Sequence, residues 1–393
     1  MYPSFIIITL AINQAIFTAA CKLADEDKPV DPVTIKAACG VSSDYLVELM
    51  NSTPTAANIE AYIDGMIEKT MRRRLYELSD SVSEKLTEGG APQEVCTFVQ
   101  ESAEKIAEQQ SASDLISSLD ACMDFYGYLS EVGGGKVKPY VPSGYTALDE
   151  LLGGGFVKEG LYILAARPGC GKTTLAIQIA EKVAKTGKPV LFMSLEMSKR
   201  QITAKRVSAF TNIGYTKVIT AELTQGENAK VAEACGTLAE RPLIINKRAG
   251  ASVDDIAFLA RQVKGLEFIV IDYLGLIRHK GGKSIYEQVT ETSNSLKRLA
   301  RNLGVPILCL AQLNREVESR ADGKPRTSDL RDSGAIEQDA DGILLLSRDM
   351  QPPEGVAPAE LLCQVGKNRH GRVGEVKFNF YLTNGGIYPQ FGG

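Results

Sequence analysis

The stretch Ala166-Arg167-Pro168-Gly169-Cys170-Gly171-Lys172-Thr173-Thr174 decides the fold of most of this chain. It follows the apolar run 161–165 and opens a helical segment, so strand, loop and helix succeed one another. The two glycines of such a loop let backbone N–H groups approach phosphates, Lys172 neutralises their charge, and the Thr173 hydroxyl binds Mg²⁺. Residues 167–174 therefore predict an ATP-phosphate site. Ala166 stands where the general pattern has Gly. The alternative interpretation, a loop that resembles the motif but does not bind nucleotide, therefore remains.

Three polar residues stand at the ends of later apolar runs. Asp272 closes the run 268–272 and is the candidate partner for Mg²⁺, beside Thr173. Glu196 follows the run 190–194 and is the candidate base that orients the attacking water. Gln312 follows the run 307–311 and could sense the terminal phosphate. Each could instead be an ordinary polar residue at the end of a strand.

The region around the phosphate loop alternates apolar runs with helical segments, which indicates a mainly parallel sheet covered by helices. A helix is predicted over 285–303, where Gly304 and Pro306 end it. The predicted strands are 161–165, 190–194, 268–272, 307–311, 342–346, 361–365 and 375–382. The fold class is α/β, of the RecA-like P-loop ATPase type.

The first part of the chain has a different pattern, because its apolar residues recur at the three- and four-residue spacing of helices. Pro29, Pro32 and Pro54 divide it into short helices. A Gly-Gly-Gly run at 133–135, followed by prolines, indicates a joint. We expect a helical N-terminal domain over 1–110, a linker over 111–140 and the ATPase domain over 141–393.

Composition limits the possible functions. The 393 residues carry a net charge of −4, which excludes nucleic-acid binding through overall positive charge and leaves only local basic loops for that role. The eight cysteines form no C-x-x-C pair, which argues against disulfide frameworks and structural zinc. Residues 5–20 are apolar, but Asn13 and Gln14 interrupt them and no Lys or Arg precedes them. This pattern favours a buried helix over an export signal. We expect a soluble, cytoplasmic protein without membrane spans.

Two polar segments follow Gln312. The loop 324–341 is long, and loops of such length in compact domains are often functional, although a solvated connection is the alternative. Lys367-Asn368-Arg369-His370-Gly371-Arg372 places several cations on one turn. Arg369 could meet the ATP of a neighbouring subunit as an arginine finger, and a solvated basic turn is as good an interpretation from these residues alone.

Taken together, these motifs resemble those of the DnaB family of bacterial and phage replicative DNA helicases. The resemblance covers residues 141–393 and, more loosely, 17–74, where 51–59 is similar to the helical N-terminal domain of that family. It includes the phosphate loop and six further segments in the family's order. These are Gly144-Tyr145-Thr146-Ala147-Leu148-Asp149, Ser194-Leu195-Glu196-Met197, Ile271-Asp272-Tyr273-Leu274, Gln312-Leu313-Asn314-Arg315, residues 329–341 and Lys367-Asn368-Arg369.

The resemblance implies a role for each candidate. Glu196 becomes the catalytic base, Gln312 the γ-phosphate sensor, and Lys367 and Arg369 the residues that act across a subunit interface. Arg331, Asp332 and Gly334 become the contacts to the DNA backbone. The family tolerates Ala at the position of Ala166, and Asp332 shortens what is commonly Glu. The N-terminal domain is shorter than in the family, which puts its dimer contacts and primase contacts in doubt.

The resemblance also implies ATP and Mg²⁺ as cofactors. The expected partners are single-stranded DNA at a replication fork, identical subunits in a hexameric ring, a primase and a helicase loader. A RecA- or RadA-like repair or recombination ATPase is the alternative, although the chain lacks a four-cysteine N-terminal zinc module and a C-terminal protease-like domain. A non-processive, DNA-stimulated switch or an inactive paralogue is the third hypothesis, and the intact Lys172, Glu196 and Asp272 argue against full inactivity.

Overall fold

The computed structural model describes most of the chain. The described residues are 11–26, 28–52, 59–108, 116–246, 250–277, 285–314, 317, 320, 324–330, 334–348 and 358–390. The chain divides into two compact units, Met1–Gly127 and Tyr128–Gly393. Within the described residues, no helix is long and apolar enough to cross a membrane.

The first unit is helical, as predicted. Asp31 begins the second helix by accepting hydrogen bonds from the backbone of Val33 and Thr34, and Pro32 occupies the first turn, where its missing N–H costs nothing. Pro54 lies outside the described residues. The last helix of the series, α6, falls inside the segment predicted as a linker and crosses the division between the units. The helices are α1 (Ala11–Asp25), α2 (Pro32–Cys39), α3 (Ser43–Ser52), α4 (Ile59–Thr87), α5 (Pro92–Glu108) and α6 (Ser118–Gly133).

In the part of the second unit that the structure describes, the strands form one sheet of nine and a separate pair. Five strand pairings in the sheet of nine are parallel and join six strands, while the last three strands are antiparallel at one edge. The strand order is β11-β10-β9-β8-β3-β7-β6-β4-β5. The strands are β3 (Leu161–Ala166), β4 (Val190–Ser194), β5 (Leu243–Ile245), β6 (Phe268–Asp272), β7 (Ile307–Gln312), β8 (Gly342–Arg348), β9 (Ala359–Asn368), β10 (Gly374–Tyr381) and β11 (Gly386–Pro389).

Helices cover both faces of this sheet. A small antiparallel pair, β1 (Tyr140–Val141) and β2 (Phe156–Val157), precedes it and encloses α7 (Thr146–Leu152). The helices are α8 (Lys172–Ala184), α9 (Lys199–Thr211), α10 (Tyr215–Thr220), α11 (Gln225–Ala239), α12 (Val253–Gln262), α13 (Ile285–Leu303) and α14 (Gly334–Asp339). Short 3₁₀ turns lie at Leu274–Leu276 and Thr327–Asp329.

Central strand β3 shows why the sheet needs cover on both faces. Its six residues are all buried, and successive side chains enter two separate apolar cores. Tyr162 and Leu164 pack into one core, with α8 and the antiparallel strands, whereas Leu161 and Ile163 pack into the other, with α12 and α13. This alternation is the period-two geometry of a strand, and both faces of a parallel strand are apolar.

The predicted α/β class is confirmed, and most predicted elements are present within a few residues. Helix α13 has the predicted bounds, as do β4 and β6. Strands β5 and β11 and the β1–β2 pair were not predicted from the sequence. These strands have two to four residues each, too few to produce an alternating pattern.

A buried carboxylate ties the helix after the phosphate loop to its neighbours. Glu181 on α8 forms ion pairs with Arg206 on α9 and with Arg241, whose Nη1 lies 2.7 Å from Glu181 Oε2. The three side chains are between 9% and 16% exposed, so water does not replace a lost partner well.

Glu181→Gln should therefore destabilise the second unit, by about 2–3 kcal/mol, because it leaves two mostly buried guanidinium groups without their counter-charge. The measurement is the unfolding midpoint in denaturant, followed by circular dichroism. The control is Glu360→Gln, which removes an exposed ion pair with Lys377 and should leave the midpoint unchanged. Equal shifts for the two variants would contradict the expectation.

Candidate active site

The candidate residues meet where the parallel strands end, at the side of the sheet that we call its carboxyl edge. Strands β3, β7, β6 and β4 are consecutive neighbours and run in one direction, so the segments that follow them leave from the same edge. The phosphate loop, 167–171, follows β3, and Gln312 ends β7 directly opposite Ala166. Asp272 ends β6 opposite Ser194, and Glu196 lies exposed two residues beyond β4.

The phosphate loop has a fixed shape. Gly171 precedes α8 with φ 98°, a conformation that favours glycine, and a Cβ there would lie 2.8 Å from a ring carbon of Phe380. Arg348 donates from Nε and Nη2 to the Gly169 carbonyl, at 3.1 and 3.0 Å. Arg167 donates to the Leu313 carbonyl at 3.0 Å. These contacts hold the loop in place just before α8, and the start of a helix offers unpaired backbone N–H groups to an anion.

Lys172 lies mostly buried at the start of α8. Its Nζ donates to the Ala311 carbonyl at 3.3 Å and lies 4.9 Å from the ring centroid of Tyr273. Burial lowers the pKa of this amine, and the nearby charges of Asp272 and Glu196 partly oppose that shift. A group that burial deprives of water gains most from an anion, and phosphate oxygens would supply one.

Asp272 and Thr173 form a hydrogen-bonded pair suited to Mg²⁺. The Thr173 hydroxyl donates to Asp272 Oδ2 at 2.8 Å, while the buried Oδ1 has no hydrogen-bond partner. Burial raises the pKa of Asp272, against the lowering effects of Thr173 and of the Lys172 charge. An unsatisfied buried oxygen next to a hydroxyl fits a hard cation. The described residues contain no group of three or more metal-binding side chains, so Mg²⁺ held here would take its other oxygens from nucleotide or water.

Two cationic side chains near the site, Arg348 and Lys205, were not predicted from the sequence. Arg348 holds the phosphate loop, and Lys205 on α9 lies close enough that the charge of Asp272 opposes the lowering of the Lys205 pKa by burial. Neither residue stands in a recognisable motif. A lone lysine or arginine in a helix or at a strand end is usually solvated, and only the contacts distinguish these two.

The remaining loop residues of the motif have different environments. Pro168 and Cys170 complete the turn, and Cys170 is buried, which raises the pKa of its thiol. Thr174 is buried within the first turn of α8. Cys170 therefore contributes its backbone to the loop, while a protonated, buried thiol has little reactivity.

The cationic turn 367–372 lies near the first residues of the parallel strands, at the opposite edge of the sheet from the carboxyl edge that holds the phosphate loop. Strand β9 runs antiparallel to β8, which places Asn368 opposite Gly342, and the N–H of Arg369 donates to the Asp341 carbonyl at 2.8 Å. Asp341 in turn pairs with Leu161, at the start of β3. The five steps from Leu161 to Ala166 span about 16 Å. Lys367 and Arg369 therefore do not contact the phosphate loop of their own chain.

The predicted DNA contacts divide into two groups. Arg331 and Asp332 lie outside the described residues. Gly334 is exposed and is the first residue of α14. Just before this segment, Leu330 forms an isolated antiparallel bridge with Leu313, the residue after Gln312. The end of β7 is thus joined directly to the chain that leads to the predicted DNA contacts.

Comparison with known proteins identifies the family. The model of the DnaB-like helicase C terminal domain matches residues 140–384, and that of the DnaB-like helicase N terminal domain matches residues 9–68. The chain belongs to the DnaB-like helicase family. It is an ATP-dependent replicative DNA helicase, and the comparisons do not favour a RecA- or RadA-like recombination ATPase.

Relatives of the family cover nearly the whole chain. It is 36% identical to the replicative DNA helicase DnaB of Geobacillus stearothermophilus, over 94% of this chain and 85% of the relative. It is 34% identical, with the same coverage, to the replicative DNA helicase DnaC of Bacillus subtilis. Among solved structures, the ATPase domain of G40P aligns with a TM-score of 0.64 and 32% identity, over 70% of this chain and 100% of that one. A DnaB-like replicative helicase described with its primase interactions aligns at 0.72 and 26%, over 95% and 90%.

Asp272→Asn should separate stability from activity in this site. Because burial raises the pKa of Asp272, its charge is costly in the folded protein, and the neutral amide should leave the melting temperature unchanged or higher. The same change should lower Mg²⁺-dependent ATP hydrolysis about 100-fold or more, since one metal ligand is lost.

The control for this variant is Asp149→Asn, in which another half-buried carboxylate with a raised pKa is neutralised. Asp149 accepts from the backbone N–H groups of Ser143 and Gly144, so this variant should keep its Mg²⁺ dependence. The interpretation of Asp272 fails if Asp272→Asn hydrolyses ATP with the Mg²⁺ dependence of the unmodified protein.

Proposed function

We propose that the protein works as a ring of identical subunits, a hexamer, in which each ATP is bound between two chains. One subunit supplies the phosphate loop, with Lys172, Thr173, Asp272 and Glu196, and the next supplies Lys367 and Arg369. The observation that carries this proposal is the position of the cationic turn at the opposite edge of the sheet from the phosphate loop of the same chain. Cations at one edge and phosphates at the other complete a site only between subunits.

Within this composite site each residue has a distinct role. The Lys172 ammonium and the loop N–H groups bind the phosphates, and Mg²⁺ held by Thr173 and Asp272 would neutralise charge on the terminal phosphates. Glu196, exposed at the same edge, orients the attacking water and accepts its proton. Lys367 and Arg369 stabilise the charge that builds on the transferred phosphoryl group.

Gln312 is proposed to report the γ-phosphate to the DNA-binding segment, which is the stretch 331–334 that carries the predicted DNA contacts. It ends β7, and the next two residues are both joined to the chain before the DNA contacts. Leu313 bridges to Leu330, and the N–H of Asn314 donates to the Asp329 carbonyl at 2.8 Å. A shift of Gln312 towards phosphate would therefore be passed along these backbone contacts.

Arg331, Asp332 and Gly334 are proposed to contact the backbone of single-stranded DNA inside the ring. Binding through phosphates is independent of base sequence and weakens with salt. One solved relative is described with primase, and we extend a primase partner, a helicase loader and a cytoplasmic location to this chain as proposals. The domain limits 1–110, 111–140 and 141–393 are likewise proposed.

The assembled protein should unwind a forked DNA duplex when ATP and Mg²⁺ are present. Lys172→Ala should abolish both strand separation and ATP turnover, because the phosphates lose their buried counter-charge. A fluorescence assay of strand release measures this activity. A protein that hydrolyses ATP on single-stranded DNA and never separates a fork would contradict the helicase mechanism.

Mixing two inactive variants tests whether the site is shared. Lys172→Ala subunits keep a working cationic turn, and Arg369→Ala subunits keep a working phosphate loop. Some interfaces in mixed rings would combine both intact halves, so the mixture should regain ATPase activity, up to about a quarter of that of the unmodified ring if subunits mix at random. If Arg369 acts within its own chain, the mixture stays as inactive as its parts.

A further inference from the structure

Lys367 and Arg369 already have hydrogen-bond acceptors in their own subunit. Lys367 Nζ donates to the carbonyls of Glu337 and Gln338, and Arg369 Nη2 donates to the carbonyl of Gln338. These carbonyls belong to the end of α14, Gly334–Asp339. The last four carbonyls of a helix lack partners within it, and cationic side chains are one way to satisfy them. Both cations proposed for the neighbour's ATP thus cap α14.

Helix α14 is short enough to depend on these caps. It has six residues, and isolated helices of that length are not stable in water without tertiary support. Two of its residues, Ala335 and Ile336, are buried, whereas the end that carries Glu337 and Gln338 is exposed. The two cations therefore add to the support of its last turn, next to the packing of Ile336 in the core.

Besides its hydrogen bond to the Gln338 carbonyl, the Arg369 side chain has only a weak ion pair among the described residues of its own subunit. Asp341 is buried, and its Oδ2 is taken up by the backbone N–H of Leu161 and by Lys297, at 2.7 and 2.5 Å. Its Oδ1 faces Arg369 at the longer distance of 3.5 Å, and the Arg369 side chain is 47% exposed. A half-exposed ion pair at that distance is weak, and phosphate would be a stronger acceptor.

Both ends of α14 are linked to residues that flank the predicted DNA contacts Arg331 and Asp332. Gly334, its first residue, is a proposed DNA contact, and Thr327, ahead of the predicted contacts, donates from its hydroxyl to Glu337 Oε1 at 3.0 Å. Changes in the last turn of α14 therefore reach the DNA-binding segment through the helix itself and through this side-chain bond.

We propose that Lys367 and Arg369 are positioning residues for the DNA-binding segment as well as partners of the neighbour's ATP. In their own subunit they cap α14, and when the neighbour binds ATP they move to its phosphates and leave α14 uncapped. The inference rests on the composite site proposed above. It adds a route by which one subunit's ATP changes DNA binding by the next subunit, separate from the route through Gln312 within a single chain.

Hydrogen exchange of the full-length protein, read by mass spectrometry on peptides that cover 334–341, tests the capping step. Without nucleotide, Lys367→Met and Arg369→Gln should each speed exchange in α14 about two- to fivefold, the effect of losing one cation at a helix end. The matched control is Arg372→Gln, an exposed cation on the same turn with no side-chain hydrogen bond to the described residues of α14, and it should leave exchange unchanged. Unchanged α14 exchange in Lys367→Met and Arg369→Gln would overturn the inference.

A second experiment tests the transfer between subunits. Rings are formed from isotope-labelled Lys172→Ala subunits and an excess of unlabelled unmodified subunits, and a non-hydrolysable ATP analogue is added without DNA. The labelled subunits have lost their own phosphate-binding lysine but donate their turn to ATP-bearing neighbours, so their α14 should exchange about two- to fivefold faster with the analogue. A response confined to the unlabelled subunits would mean that the signal comes from a subunit's own ATP, and the inference would be wrong.

The complementation experiment distinguishes a failure of the composite site from a failure of the coupling through α14. If Arg369→Ala and Lys172→Ala subunits fail to complement one another, the shared site itself is wrong, whatever α14 does. If they complement while α14 exchange ignores both the cation variants and the analogue, the shared site stands and only the coupling fails.

Discussion

The parallel pairing of β3 with β7 on one side and β8 on the other is the constraint on which the rest of the structure depends. It buries all six residues of β3 and leaves the chain to turn at the carboxyl end of the strand, where α8 begins. Because β6 and β4 run in the same direction, Asp272 and Glu196 arrive at the same edge. A parallel sheet thus gathers residues that are far apart in sequence at one edge.

That edge holds charge at a cost to stability. Lys172 and Asp272 are both removed from water, and burial shifts the pKa of each towards its neutral form. The pair is not compensated by direct contact, since Lys172 Nζ binds a backbone carbonyl and one Asp272 oxygen has no partner. Groups left in this state favour a ligand that brings both anionic oxygens and a cation, and ATP with Mg²⁺ is such a ligand.

The sequence predicted the sheet well because buried parallel strands are apolar throughout and stand out as runs, as 268–272 does. It failed where the signal is short, as in β5, or where a single side chain acts without a motif, as Arg348 and Lys205 do. The phosphate loop stands out in the sequence because glycines, a lysine and a threonine follow an apolar run and open a helix. The acceptors of Lys367 could not, since they depend on the register of β9 against β8 and on the position of α14.

The cationic turn 367–372 is anchored to α7. Asn368 donates to the Leu151 carbonyl at 2.9 Å, and the Arg372 N–H donates to the same carbonyl at 2.8 Å, so the turn is fixed on the end of α7. A Cβ at Gly371 would lie 2.4 Å from that carbonyl oxygen, which leaves room only for glycine. The backbone of the turn is therefore fixed, while the side chains of Lys367 and Arg369 extend from it to the carbonyls at the end of α14. A fixed backbone turn would let the two cations exchange one set of oxygens for another without refolding of the chain, as the proposed transfer to a neighbour's ATP requires.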